Sequence, residues 1–278
     1  MPELPDLVYI ENHLADFLPG KKITAVEIKE SIVLRALIPE GFEDGLKNAC
    51  FQKVYRHGPF LTFTFESDVE LVIHPMLAGK FKIAESADKP GRSMCFSLHL
   101  DDGSYFNYLD DKKMGKVYLT QSADFDKIPR YLQQGINILS KEFTLEKFQN
   151  LIAKQRKQVR VFLMDQTRLS AIGNAYADEI LFDAGLHPKT FCNQLTAAEV
   201  DTLYDSILRV IKWGIEQVEK AAKPIEIKVR DHVKVRNRKD QPCPKCNTTI
   251  RRAGVLGHDT FFCPVCQPAK RAQFITWN

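Results

Sequence analysis

The sequence predicts an α+β protein with an N-terminal helix and an antiparallel β-sandwich, followed by a helical domain and a small C-terminal module. Three observations predict this order. Residues 1–120 contain repeated runs of alternating or continuous apolar residues. The apolar period becomes helical from about Tyr131, and four cysteines form two close pairs near the C-terminus.

The N-terminal part has the apolar pattern of half-buried strands. Predicted strands lie within Ile23–Ile28, Val54–Phe65, Val69–Ile83, Met94–Leu109 and Val117–Thr120. The sequence Asp101-Asp102-Gly103 is typical of a hairpin turn. Apolar residues in Leu7–Phe17 recur at helical spacing, so we expect one helix before the first strand.

The middle of the chain has helical periodicity after a polar stretch at residues 121–130, which we interpret as a linker. Predicted helices span Thr144–Ala153, Val159–Asp165, Asn174–Ala184 and Ala197–Ala222. Thr144 is the expected N-cap of the first of these helices. Between the second and third lies a short turn that contains Gly173, which indicates two helices joined by a tight connection.

The four C-terminal cysteines have the spacing of a metal site. Cys243 and Cys246 form one CxxC pair, and Cys263 and Cys266 form a second pair. Four thiolates at this spacing suit tetrahedral Zn²⁺. A redox CxxC needs one pair in a βαβ context, and disulfides need an oxidising compartment, so neither fits as well. We therefore predict one structural zinc that takes no part in chemistry.

The residues around the two cysteine pairs form a second pattern. Between the pairs, Ile250–Phe262 contains two glycines and is typical of a β-hairpin whose ends are held by the metal. Before the first pair, apolar residues alternate again from Ile225 to Val235, as in a strand. The remaining cysteines, Cys50, Cys95 and Cys192, are expected to be inert core thiols.

Positive charge is concentrated at the C-terminus. Residues 228–278 hold eleven Lys or Arg against three Asp or Glu, although the formal net charge of the whole chain is only +4. Such a basic module suggests a polyanionic partner, and a solvated basic tail is the alternative. No signal peptide or membrane-spanning apolar stretch is visible, so we expect an intracellular protein.

The first residues suggest a nucleophile. Removal of Met1, which a small second residue permits, would expose the secondary amine of Pro2 beside the carboxylate of Glu3. An α-amino group has a pKa of about 7.7–8.0 and can attack a carbonyl-like carbon to form a Schiff base. Glu3 could then transfer protons. The alternative is an ordinary helix start with Pro5 in the first turn.

Three motifs together resemble the formamidopyrimidine-DNA glycosylase and endonuclease VIII family. The chain begins Met1-Pro2-Glu3-Leu4-Pro5, continues with Asp165-Gln166 and Ile172-Gly173-Asn174-Ala175-Tyr176-Ala177-Asp178-Glu179-Ile180-Leu181, and ends its second cysteine pair with Cys266-Gln267. The family has these motifs in the same order and at similar spacings. The resemblance implies an N-terminal β-sandwich, a helix–two-turns–helix domain and a zinc-ribbon finger, with double-stranded damaged DNA bound by a monomer.

The resemblance also implies an activity. In that family the N-terminal proline attacks C1′ of the damaged nucleotide, the base leaves, and elimination through a Schiff base cuts the strand. Pro2 and Glu3 stand at the catalytic positions. Asn174 stands where an asparagine binds phosphate, and Arg160 stands where the family has a phosphate-binding lysine. These expectations fit the anion-binding character of helix N-termini and guanidinium groups.

Several family positions carry different residues here. Pro59 occupies the place of a lysine that contacts DNA, and proline offers neither charge nor donor. His258 stands where the family's zinc hairpin has a phosphate-gripping arginine, and Asp259 follows it. Asp6 replaces the usual glutamate.

The residues that fill the duplex after base flipping also differ. Leu77 takes the place of a methionine, while Lys113 and Met114 take the places of an arginine and a phenylalanine. His74, in the same segment as Leu77, is implied to be a DNA-contacting cleft residue. An apolar wedge is retained with an altered shape.

The resulting hypothesis is a DNA glycosylase with abasic-site lyase activity, organised as residues 1–125, 131–224 and 225–278. The alternative is a lesion-binding protein of the same fold with weak or lost base excision, which the replacements at residues 59 and 258 favour. The retained Pro2-Glu3 pair favours the enzyme. The sequence does not name the lesion.

Overall fold

A computed structural model of the 278-residue chain describes residues 1–86 and 92–270. The chain forms two compact units. The first contains Met1–Gln134 and Ile215–Val229, and the second contains Gly135–Gly214 and the chain from Arg230 onward. The predicted C-terminal module at 225–278 includes residues 271–278, which lie outside the described part of the chain.

The first unit contains the strands that the sequence predicts, and in addition a short strand at Leu34–Ala36 and a second helix that it does not predict. The helices are α1 (Leu4–Phe17) and α2 (Gly41–Leu46). The strands are β1 (Ile23–Ile28), β2 (Leu34–Ala36), β3 (Phe51–His57), β4 (Phe60–Phe65), β5 (Val69–His74), β6 (Lys80–Ala84), β7 (Met94–Leu100), β8 (Tyr105–Leu109) and β9 (Lys116–Gln121). The runs Val54–Phe65 and Val69–Ile83 each divide into two strands, because turns interrupt the alternation.

Two sheets form the sandwich. One has the order β2-β9-β5-β4-β3, in which β2 pairs parallel with β9 and the other pairs are antiparallel. The other has the order β1-β7-β8-β6 and is antiparallel. Phe51 and Phe63 of the first sheet contact Phe106 of the second, with ring centroids 6.4 and 5.3 Å apart. These buried rings join the sheets into one apolar core.

The second unit is helical and carries the cysteine module. Its elements are α3 (Leu145–Ala153), α4 (Val159–Leu163), α5 (Asn174–Asp183), α6 (Ala197–Ala221), β10 (Arg251–Val255) and β11 (His258–Phe262). Helix α6 belongs to this unit up to Gly214 and to the first unit from Ile215. The predicted N-cap Thr144 is confirmed, since its hydroxyl accepts the Lys147 N–H.

The α+β fold class is therefore confirmed, with one local correction. The apolar alternation from Ile225 to Val235 is not a strand in the structure. Ile225 instead joins the sandwich core, and Val235 packs beside the cysteine module. Ile225, Val233 and Val235 are buried, whereas Ile227 is half exposed, so the alternation arises here without a hydrogen-bonded ladder. Within residues 1–86 and 92–270, no helix has both the length and the apolar character needed to cross a membrane.

Asp178, on α5, is the most heavily bonded carboxylate of the second unit. It is 1% exposed, and it accepts the Nε–H of Arg160 at 2.9 Å and an Nη1–H of Arg236 at 2.8 Å. The Thr260 hydroxyl (2.6 Å) and the Phe261 amide (3.2 Å) of β11 also donate to it. A buried carboxylate with four donors fastens the β10–β11 hairpin to α5.

Its neighbour Glu179 performs a parallel role for the backbone. The carboxylate is buried and accepts the main-chain N–H groups of Lys234, Val235 and Arg236 at 2.8, 2.9 and 3.0 Å. Burial raises the pKa of Glu179, and the three N–H donors oppose that rise. The Glu179 side chain thus binds the backbone of residues 234–236, before the first cysteine pair, in place of a neighbouring strand.

We expect Asp178→Ala to lower the free energy of unfolding by about 3–5 kcal/mol, because it leaves the buried Arg160 guanidinium without a counter-charge. Urea titration followed by far-ultraviolet circular dichroism measures the change. Glu142→Ala, which removes an exposed carboxylate near Lys147, is the control and should stay within about 0.5 kcal/mol. An unchanged transition in the Asp178 variant would contradict the role assigned to this carboxylate.

Candidate active site and metal centre

The N-terminus is fixed by the start of α1. Glu3 is the N-cap residue and has an extended backbone, and its N–H donates to the carboxylate of Asp6 at 2.8 Å. Pro5 lies in the first turn, where a missing N–H costs nothing. Pro2 and Glu3 are both buried, with Glu3 only 6% exposed. Asp6, which replaces the family's glutamate, therefore orders the backbone of the candidate catalytic residue.

Two other segments of the first unit contact the first residue. The Met1 amine donates to the Leu77 carbonyl at 3.0 Å, and the Lys228 ammonium donates to the Met1 carbonyl at 3.2 Å. The pKa of this amine is lowered to about 6, mainly by burial and next by the charge of Lys228, while the charge of Glu3 acts in the opposite sense. An amine at this place is therefore largely unprotonated at neutral pH.

A cavity opens beside Pro2. Its walls are formed by Pro2, Asp6, Tyr9 and Ile10 on α1, the segment Leu77–Lys80, Val218 of α6 and the segment Ile225–Lys228. The Tyr9 hydroxyl donates to the Lys223 carbonyl at 2.8 Å and so ties the end of α6 to α1. Pro2, Asp6 and Leu77 belong to motifs that the sequence shows, whereas Tyr9 and Lys228 belong to no motif and could not be predicted to line this cavity.

His74 and Leu77 form a single turn after β5. The His74 Nδ1 accepts the Met76 N–H at 2.9 Å, and Met76 has a φ of +49°. Burial lowers the pKa of His74 to about 4, so the ring is neutral and can act as this acceptor. The turn leaves the Leu77 side chain 61% exposed. An apolar side chain held outward on an ordered turn is suited to act as a wedge.

Lys113 and Met114 lie in a second ordered loop. Asp110 is buried and accepts the N–H of Lys112 at 3.0 Å and of Gly115 at 2.6 Å. A side chain at Gly115 would collide with the Tyr108 hydroxyl, so the loop requires glycine there. Lys113 has a φ of +52° and forms an ion pair with Glu30, and Met114 is 38% exposed.

Pro59 closes the β3–β4 hairpin. It is buried and follows Gly58, whose φ is +56°. The position that carries a lysine in the family is thus occupied by a ring that packs into the hairpin and offers no cation.

Asn174 and Arg160 meet at the start of α5 in the second unit. Asn174 is the first residue of this helix, and its Oδ1 accepts an Nη2–H of Arg160 at 2.8 Å. The same Nη2 donates to the Asp259 carbonyl at 3.0 Å, and the Arg160 residue is 1% exposed. Arg160 therefore has little exposed surface with which it could contact a ligand directly. The geometry favours a role in orienting Asn174.

Gln166 shapes the turn before Asn174. Its amide oxygen accepts the Ala171 N–H at 2.7 Å, and its amide nitrogen donates to the Ile172 carbonyl at 2.8 Å. Ala171 has a φ of +63°, a strained value for a residue with a Cβ. The Asp165-Gln166 motif therefore has a structural function that the sequence analysis did not assign.

His258 lies at the tip of the β10–β11 hairpin. Leu256 and Gly257 form a two-residue turn with φ values of +45° and +77°. His258 is exposed, and the Asp259 carboxylate pairs with Arg252 at 3.1 Å. Arg252, on the same hairpin, thus partly neutralises the negative charge of Asp259. His258 remains as an exposed polar side chain next to the turn.

The four predicted cysteine ligands converge. The sulfurs of Cys243, Cys246, Cys263 and Cys266 all lie within 4.8 Å of one another. The Cys243–Cys266 sulfur distance is 3.8 Å and the Cys246–Cys263 distance is 3.4 Å. Tetrahedral ligands at a Zn–S distance of about 2.3 Å lie about 3.8 Å apart, so the donor set fits zinc.

Backbone donors complete this site. The Lys245 N–H points at the Cys243 sulfur and the Cys266 N–H at the Cys263 sulfur, both at 3.4 Å. Gln267 adds a third support, because its amide oxygen accepts the Cys263 N–H at 3.0 Å and its amide nitrogen donates to the Leu186 carbonyl at 2.8 Å. A closed four-thiolate site of this kind is structural, and the prediction of one zinc ion per chain is confirmed.

We expect metal analysis of the purified chain to give one zinc per chain, and Cys263→Ser to lose it together with the fold of the β10–β11 hairpin. Amide hydrogen exchange of that hairpin reports the fold. Cys50→Ser is the matched control, because Cys50 lies outside the cluster, and it should retain the metal. A Cys263→Ser chain with full zinc content would contradict the ligand assignment.

Comparison with known proteins identifies the family. Residues 1–117 match the formamidopyrimidine-DNA glycosylase N-terminal domain, residues 135–224 match the formamidopyrimidine-DNA glycosylase H2TH domain, and residues 240–269 match the zinc finger found in FPG and IleRS. The chain is 31% identical to the formamidopyrimidine-DNA glycosylase of Symbiobacterium thermophilum over 274 residues, which cover 96% of this chain and 90% of that one.

A second relative and a solved structure agree with this. The formamidopyrimidine-DNA glycosylase of Bacillus licheniformis is 31% identical over 278 residues, covering 96% of this chain and 99% of that protein. The wild-type Lactococcus lactis Fpg, solved in complex with an oxidized pyrimidine containing DNA, superposes with a TM-score of 0.87 at 26% identity, covering 96% of this chain and 100% of that one. The chain therefore belongs to the formamidopyrimidine-DNA glycosylase family.

Proposed function

We propose that this protein removes damaged bases from double-stranded DNA and then cleaves the resulting abasic site, as a DNA glycosylase and abasic-site lyase of base-excision repair. The observation that carries the proposal is the place of Pro2, which is buried, lines a cavity and is followed directly by the buried Glu3. The relatives carry the glycosylase name, and the Lactococcus lactis protein binds DNA with an oxidised pyrimidine.

The nucleophile in this proposal is the Pro2 nitrogen, released when Met1 is removed. While Met1 is present, the Pro2 nitrogen is part of an amide and cannot attack. After removal, the nitrogen bonds to C1′ as the bond from C1′ to the base breaks, and the base leaves with the electron pair. Opening of the sugar gives an iminium ion. Loss of a C2′ proton then expels the 3′ phosphate and cuts the strand.

Glu3 is the proton-transfer group in this scheme. It follows Pro2 directly, and the Asp6 carboxylate fixes its backbone at the N-cap of α1. A carboxylate so close to the reacting nitrogen can take the proton from the attacking amine and return it to the opening sugar. Glu3 does not line the cavity itself, so in this scheme it acts on the sugar side and not on the base.

The second unit is proposed to hold the DNA backbone. Asn174 presents its amide at the N-terminus of α5, where N–H groups favour phosphate, and Arg160 orients that amide. His258 offers a neutral or charged donor at the hairpin tip in place of an arginine. The basic residues from Lys228 to Arg252 supply the sequence-independent attraction to a polyanion.

The first unit is proposed to hold the duplex open. Leu77 would fill the space left by the flipped nucleotide, and Lys113 would contact DNA from the loop that Asp110 orders. His74 contributes by fixing the turn on which Leu77 stands. Lys113 would have to exchange its ion pair with Glu30 for a phosphate, an exposed exchange that costs little.

The proposed division of labour follows the predicted regions. Residues 1–125 carry the chemistry, 131–224 bind the DNA backbone, and 225–278 include the zinc finger. Zinc would be held by the four cysteines and would fix the hairpin that presents His258, without acting on the substrate. We propose that the protein works as a monomer on DNA in the cytoplasm.

One observation favours a second candidate function, the recognition of lesions without base excision. Pro59 is buried and carries no charge, and His258 replaces a permanent cation. Both changes remove positive charge that would stabilise a leaving base. Cleavage of abasic DNA needs no leaving base, so on this chain it should be faster than glycosylase action.

We expect the mature chain to be trapped on an abasic duplex by borohydride, because reduction of an iminium ion makes a stable bond. Glu3→Gln should slow trapping by about a hundredfold or more, since it removes the proton-transfer group. Glu43→Gln, an exposed change on α2, is the control and should behave as wild type. Gel separation of the covalent complex gives the rates.

The same assay separates the two candidate functions. A wild type that is trapped on abasic DNA and also releases bases from duplexes with oxidised purines or pyrimidines is a glycosylase. A wild type that binds these duplexes but is never trapped would overturn the enzyme proposal in favour of lesion recognition.

A further inference from the structure

We propose that Lys228 is the cation that faces the Pro2 nitrogen and disfavours its protonation, so that this residue sets the lower pH limit of the nucleophile. The inference rests on the proposed function, because it concerns the amine that the proposed function uses. In this proposal Lys228 does not touch the DNA and acts only through Pro2. It is therefore a positioning residue, which controls the charge of the Pro2 amine.

The geometry places Lys228 within reach of that nitrogen. Its Nζ lies 3.2 Å from the Met1 carbonyl oxygen. That carbonyl carbon is bonded to the Pro2 nitrogen, which amide geometry puts about 2.3 Å from the same oxygen. The ammonium is thus within roughly 5.5 Å of the nitrogen that becomes the free amine. Both residues line the same cavity.

Pro2 keeps this position when Met1 leaves. The proline is buried, and the next residues are fixed by the N-cap contact between Glu3 and Asp6 and by the buried Leu4 of α1. Removal of Met1 takes away the acceptor of the Lys228 hydrogen bond. The ammonium then faces a basic nitrogen across the space that the carbonyl occupied.

Like charges at this distance favour the neutral amine. The Lys228 ammonium is a cation, and a protonated Pro2 amine would be a second cation a few ångströms from it. Protonation of the Pro2 amine beside the Lys228 ammonium therefore costs Coulomb energy. The charge of Lys228 acts in the same way on the amine of Met1, the residue before Pro2. The pKa of the Met1 amine is lowered first by burial and second by Lys228.

Other charged groups face this amine, and they act in both directions. Glu3 and Asp6 on α1 favour the protonated amine at the present N-terminus. Lys80 and Glu226 lie on the cavity wall from the segments after β5 and α6. His74 is neutral, because burial lowers its pKa to about 4. Lys228 is the cation whose nitrogen is hydrogen-bonded to the N-terminal residue.

The role matters because nearby carboxylates would otherwise make the amine a stronger base. Glu3 is needed for proton transfer, so its charge cannot be removed. A facing cation allows the carboxylate and an unprotonated amine to coexist at neutral pH. Amines activated by an adjacent cation are a known solution in Schiff-base chemistry.

The test measures the rate of borohydride trapping on an abasic duplex between pH 5.5 and 9, at saturating protein and fixed salt. We expect Lys228→Met to move the inflection upward by about half to one pH unit, because Lys228 is exposed and partly screened. Trapping at pH 6 should fall about three- to tenfold and should equal wild type above pH 8.5. Lys228→Arg should restore the wild-type profile.

Lys220→Met is the matched control, since it removes an exposed lysine in the last turn of α6, and its profile should match wild type. A second measurement needs no DNA. Competitive labelling of the Pro2 amine with acetic anhydride as a function of pH should give the same upward shift in Lys228→Met and in Lys228→Gln.

Each other outcome overturns the assignment. If trapping falls by the same factor at every pH, Lys228 contacts DNA or supports structure and does not tune the amine. If the inflection and the labelling curve are unchanged, the ammonium does not influence the amine, although wild-type trapping still supports the proposed function. A wild type that cannot be trapped overturns the proposed function and this inference with it.

Discussion

The second unit depends on two adjacent buried carboxylates, Asp178 and Glu179. A helix normally exposes such residues, and burial of both would be costly without partners. Asp178 binds two guanidinium groups and two donors of β11, and Glu179 binds three consecutive main-chain N–H groups. Together they attach the hairpin and the chain before the first cysteine pair to α5. These bonds fix the position of the cysteine module on α5. The zinc ion then has only to join the two cysteine pairs within the module.

A comparable constraint acts on the first unit, where the chain's first residues have to be buried beside a cavity without losing their reactivity. Proline suits this buried position because, within the chain, its nitrogen carries no N–H that would need an acceptor. The N-cap geometry of Glu3 places a carboxylate next to it, and Lys228 contributes the opposite charge. The proposed reactive centre is thus built from helix-capping and turn geometry.

Much of this could be predicted from sequence because the signals are local. The cysteine spacing, the strand alternation and the Thr144 cap each depend on residues close together in the chain. Two contacts could not be predicted. One is the buried contact of Arg160 with Asp178, because no spacing rule connects these two residues, and a phosphate contact of Arg160 stays a prediction. The other is the contact between Lys228 and Met1, two residues that are far apart in the sequence. Lys228 also lies in a segment whose apolar alternation predicted a strand.

If the nitrogen of Pro2 is the atom that bonds to DNA, its adduct can be located directly. The measurement is mass-spectrometric peptide mapping of the borohydride-reduced complex between the mature protein and an abasic oligonucleotide. We expect the sugar adduct on the N-terminal tryptic peptide, residues 2–21, at its first residue. An adduct on the peptide that contains Lys228, or on a retained Met1, would contradict it.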